Sequence, residues 1–157
     1  MENKDGGSGR LHARDKKDGF LVIRDSGRFL EEIFSRSPEA VVRGTTLGKL
    51  VIGLERDLSG KKRENGFYCE RSDLDFMNGK GNSLHIIEHL LCYVLDKSAP
   101  MEETTCGSTE QDILGRRDVY ILPPPSMSLS RAKELVSRTI SFLERWLDGE
   151  EIDFSKV

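Results

Sequence analysis

Cysteine is scarce in this chain: three in 157 residues, at irregular spacing. An odd, uneven set does not build a disulfide framework. A reducing, cytoplasmic setting is therefore expected, with thiols free or bound to metal. Positive charge is not in excess either. The 24 Lys and Arg stand against 27 Asp and Glu, a net charge of -3. General affinity for nucleic acid or for an anionic membrane needs a basic surface, so neither partner is expected. No apolar run approaches the roughly 20 residues that cross a bilayer. The opening "MENKDGGSGRLHARDKKDG" has no hydrophobic core of the secretory kind, so no secretion signal is expected. Histidine is as rare as cysteine, with three in the chain, yet two of them lie four residues apart.

What is present suits one domain. The chain is 36 % hydrophobic and 32 % charged, polar but long enough to bury a core. Residues 1–18 are rich in Gly, Lys and Asp without apolar period and read as a flexible tail. Residues 19–157 read as a single α+β domain. "FLVI" (20–23) is a strand candidate. Phe29, Leu30, Ile33 and Phe34 fall at helical spacing, and Pro38 ends that helix. "GKLVIGLERD" reads as a strand with Leu50, Ile52 and Leu54 on one face. "FYCERSDLDFM" reads as its return strand across a polar hairpin loop. A helix over 84–95 follows, with Asn82 or Ser83 as its N-cap, then an irregular segment over 97–117. "VYIL" reads as a strand ended by Pro123, Pro124 and Pro125. A last helix carries Ala132, Leu135, Val136, Thr139, Leu143 and Trp146 as its buried stripe, with Gly149 as its C′ residue. The resulting order, β-α-β-β-α-β-α, implies an antiparallel or mixed sheet with two to three packed helices.

The stretch "GNSLHIIEHLLCYVLD" carries the chemistry. On a wheel of about 100° per residue, apolar side chains cover most of the helix. One polar stripe remains: His85, Glu88, His89 and Cys92. Histidines at i and i+4 project from one face and can reach a single ion. The order H-x-x-E-H is that of the inverted zinc hydrolases, in which the ion polarises a carbonyl or acidifies water. Glu88, beside the ligands, is placed to move the proton. A third ligand is needed. Cys92 lies seven residues from His85, about 10 Å along the axis, too far to share a tetrahedral ion with it. Cys106, in "TTCGST", is the better candidate; Glu103 and Cys69 are weaker ones. The competing reading of the stripe is a solvated His/Glu/His edge that needs no metal.

The helix "SLHIIEHLLCYVL" resembles the zinc helix of the S-ribosylhomocysteine lyases. It also resembles the H-x-x-E-H helix of pitrilysin-type metallopeptidases. The lyases run strand, turn, metal helix, cysteine loop, strand and amphipathic helix. Here "FYCERSDLDFM", "NGKGN", the helix, "TTCGST", "VYILPPP" and "SLSRAKELVSRTISFLERW" stand in that order, over about residues 49–147. The resemblance implies His85 and His89 as metal ligands and Glu88 as the acid/base residue. It departs in the cysteines. The lyases use two after the helix, and this chain has Cys106 alone. The third glutamate ligand and paired domains of the peptidases have no counterpart either. A similar strand and "EH" helix occurs in the zinc deacetylases of lipid A synthesis, whose fold differs.

Other polar groups carry less. Asp73 and Asp75 share one strand face, as Mg²⁺-binding carboxylates do, but no Gly-Ser phosphate loop precedes them. "GKKRE" lacks P-loop glycine spacing. His12 falls in the expected tail and has no assigned role. The expectation is a small zinc-dependent hydrolase- or lyase-type enzyme acting on a small polar substrate. Its metal ligands are His85, His89 and Cys106, with Glu88 catalytic. The rival is a non-catalytic acidic α+β interaction module without metal. A homodimer is compatible with either.

Overall fold

The computed structural model describes residues 11–15, 21–25, 46–51, 53–55, 57–58, 83–111, 117–147 and 149–157. They form an α+β arrangement with one antiparallel sheet. β1 is Leu11–Asp15, β2 Leu21–Asp25, β3 Cys106–Gln111 and β4 Arg117–Leu122. The sheet order is β1-β2-β4-β3. Residues 46–51, 53–55 and 57–58 are helical and make up α1. α2 is Ser83–Lys97 and α3 Leu129–Leu147, followed by the short 3-10 turn Phe154–Lys156. Among the described residues, no helix is long and apolar enough to cross a membrane.

Three sequence expectations are corrected. β1 lies inside the segment read as a flexible tail, paired with β2 from Leu11↔Asp25 to Asp15↔Leu21. The stretch read as a strand through Leu50 and Leu54 is helical. Its buried side chains are Leu47, Val51 and Glu55, while Leu50 is exposed. Spacings of i, i+4 and i+8 are a helix period, and the alternation through Leu50 and Leu54 was an accident of a short apolar run. The segment expected to be irregular contains β3, which pairs with β4 from Cys106↔Leu122 to Gln111↔Arg117. The strand expected over 67–77 and the helix through Phe29 and Phe34 lie outside the described residues.

Strand alternation gives the sheet one apolar face. Leu21, Ile23, Val119 and Ile121 are fully buried, and Gly107 and Thr109 lie in register with the last two. That face carries the helices. α2 packs on β3, β4 and α3. Ile86 through Asp96 are all buried, as befits a helix apolar on nearly every side. α3 is amphipathic instead, burying Ala132, Leu135, Val136, Thr139, Ile140 and Leu143. Its first turn is capped by Ser128, whose Oγ accepts from Arg131 N at 3.1 Å. Its last turn closes in a Schellman pattern. Gly149 N donates to Trp146 O and Glu150 N to Arg145 O, both at 3.1 Å, with Gly149 at φ 105°.

Candidate metal centre

The polar stripe of α2 is largely covered by other elements and is not a broad wet face. Glu88 is 7 % exposed and His89 8 %, and the His85 side chain alone reaches solvent appreciably, at 33 %. That exposure pattern does not fit a solvated helix edge. Two other elements cover the stripe. α1 brings Glu55, itself buried, and β3 brings Gly107 and Thr109.

The contacts are specific. His89 Nδ1 lies 2.6 Å from Glu55 Oε1, and His89 Nε2 lies 3.1 Å from His85 Nε2. The two rings meet edge to face, with centroids 4.7 Å apart. Glu88 Oε2 accepts a hydrogen bond from the Thr109 hydroxyl and stands 4.0 Å from His85 Nε2. Burial pushes the Glu88 carboxyl above its ordinary value, opposed by the Thr109 hydrogen bond and by nearby His89. Cys92 behaves differently. Its complete burial, reinforced by Glu88, Asp96 and Glu55, pushes the thiol well above its ordinary value. It stays protonated and is a poor ligand.

His85, Glu88 and His89 each offer a ligand atom, all within 4.8 Å of one another, so this cluster can hold a metal ion. Two nitrogens on one tetrahedral zinc, at about 2.0–2.1 Å from it, lie about 3.3 Å apart. The 3.1 Å between the two Nε2 atoms is close to that edge. The 4.0 Å from His85 Nε2 to Glu88 Oε2 is wider.

Cys106 is not brought to the cluster. It is the exposed first residue of β3, and its sulfur is not among the converging ligand atoms. Glu103 is engaged elsewhere, accepting from Ser126 N and, at 2.5 Å, from Ser126 Oγ. Cys69, Asp73 and Asp75 lie outside the described residues. Sequence reasoning missed Glu55, Gly107 and Thr109. For Glu55 a signal existed: an acid at the i+4 position after Leu47 and Val51, on the same stripe.

Gly107 is needed for close approach rather than for an unusual backbone angle. A Cβ there would stand 2.8 Å from Cys92 Sγ and 3.1 Å from both Glu88 Cγ and Glu88 Oε1. The Gly107→Ala variant is therefore expected to lose about 1–3 kcal/mol of stability through overpacking. Urea denaturation measures it as a lower midpoint at unchanged slope. A midpoint equal to wild type would mean that β3 yields freely and does not hold the wall of the site.

No protein family, curated protein or solved structure matches this chain. The likeness to the S-ribosylhomocysteine lyases and pitrilysin-type peptidases thus rests on the α2 motif and its geometry alone.

Proposed function

We propose that the chain is a small zinc-dependent enzyme of hydrolase or lyase type, acting on a small polar substrate. The observation that carries this reading is the convergence of His85 Nε2 and His89 Nε2 at 3.1 Å beside the buried Glu88. Imidazole and carboxylate donors suit zinc among the divalent metals, and the H-x-x-E-H order is a zinc-hydrolase order. When bound, the ion would polarise a carbonyl or acidify a water.

The protein's own groups have distinct tasks. His85 and His89 hold the ion through Nε2. With His89 protonated on Nδ1, His85 would donate from Nε2 across this contact in the metal-free chain, and holding an ion through that nitrogen would need the other neutral tautomer of His85. Glu88 takes a proton from water or substrate and returns it to the leaving group. Its buried carboxyl, raised above its ordinary value by desolvation, holds a proton more readily than a solvated glutamate. Thr109 fixes which way that carboxylate faces. The part-exposed His85 marks the side from which a small polar molecule enters.

Zinc-loaded, untagged protein should be assayed against small polar esters, amides and thioethers. Turnover of at least one class is expected, abolished by a chelator and restored by zinc. No chelator-sensitive turnover in any class would contradict the enzymatic reading.

A further inference from the structure

We infer that Glu55 is a positioning residue of the metal centre: it sets the tautomer and the aim of His89. The inference rests on the metal-binding reading of His85 and His89 and adds a residue from a separate element. Glu55 lies 34 residues before His89, on α1, and its Oε1 is 2.6 Å from His89 Nδ1. A free imidazole is more basic than a free carboxylate, so the shared proton sits on Nδ1. That leaves the lone pair of the neutral ring on Nε2, the nitrogen that faces His85 at 3.1 Å. Without such a partner a neutral histidine distributes its proton between both nitrogens, and only one of the two forms can bind through Nε2.

The geometry also says what Glu55 is not. Its oxygen is bonded to the nitrogen on the far side of the ring from the ion, and it does not belong to the cluster of converging ligand atoms. It acts through His89 and is not a ligand itself. Carboxylates in this relation orient the ring and raise its basicity, and their loss typically costs about 10–100-fold in metal affinity. The arrangement is well supported. Leu47 and Val51, on the same helical stripe, are buried at 1 % and 0 %, so α1 is seated in the core and Glu55 is held at a fixed height beside α2.

Two measurements on the full chain test this. Long-range ¹H–¹⁵N NMR of metal-free protein, at a pH where the ring is neutral, should show His89 protonated on Nδ1. In Glu55→Gln the Nε2–H form should become populated. Zinc affinity, by competition with a chromogenic chelator, should fall about 10–100-fold in Glu55→Gln while the circular dichroism spectrum is unchanged. Equal zinc affinity in both proteins, or an Nε2–H ring in wild type, overturns the role of Glu55. Zinc bound by neither protein overturns the metal reading, and the tautomer then judges Glu55 separately. The wild-type tautomer needs no variant, so a misfolded Glu55→Gln would not shelter the proposal.

Discussion

Replacing Glu88 with glutamine is expected to leave zinc bound and to lower turnover about 10²–10⁴-fold, the usual loss when an acid/base group is removed. The amide keeps the shape of the side chain and can still accept from Thr109, so the wall between α2 and β3 should stay intact. It cannot take up a proton. Measuring metal content beside turnover separates this role from that of a ligand. Glu88 Oε2 is 4.0 Å from His85 Nε2, against 3.1 Å between the two imidazole nitrogens. Steady-state rates and metal content would be measured on the same preparations. Loss of zinc together with activity would make Glu88 a ligand instead. Undiminished turnover would remove it from the mechanism.

Removing the His89 ring is expected to destabilise the fold by about 1–3 kcal/mol, the range for deleting one partner of a buried hydrogen bond. The size comes from Glu55. In His89→Ala its buried carboxylate loses the imidazole that now lies at 2.6 Å. The cavity left by the buried ring adds to the loss. The cause can be isolated with a second change. Adding Glu55→Leu removes the carboxylate that has lost this contact, and replacing both partners of a buried hydrogen bond by apolar groups can be nearly neutral. The double variant should therefore recover part of the lost stability, although neither variant should hold metal. Urea midpoints of the wild type, both single variants and the double variant give the coupling directly. A His89→Ala protein as stable as wild type would mean that Glu55 and His89 do not hold α1 and α2 together.

How much of this was legible in the sequence differs from element to element. α3 was fully so, because its stripe from Ala132 to Leu143 is regular and its ends carry a serine cap and Gly149. α2 and its H-x-x-E-H order were legible too, and near-continuous apolar cover correctly implied burial. α1 was misread because three apolar residues two apart imitate a strand, while the longer spacing of Leu47, Val51 and Glu55 reports the helix. β1 and β3 were missed because both are polar strands. "LHARD" and "CGSTEQ" have little apolar alternation, and they form by pairing with the apolar β2 and β4. The site was half visible. Residues on one helix could be grouped by periodicity, whereas Glu55 and Thr109 reach Glu88 and His89 only through tertiary packing, across 34 and 21 positions. Cys106, a ligand type in a segment read as a loop, instead opens a strand and lies outside the cluster.

Metal content tests the central claim most directly. Untagged protein would be analysed by mass spectrometry for bound metals, as purified and after equilibration with zinc, beside a His85→Ala/His89→Ala variant. About one zinc per chain in wild type, absent from the variant, is the expected result. No metal in either protein, even after zinc is offered, would contradict it. His85, Glu88, His89 and Glu55 would then be a buried hydrogen-bonded network, and the chain an interaction module without metal.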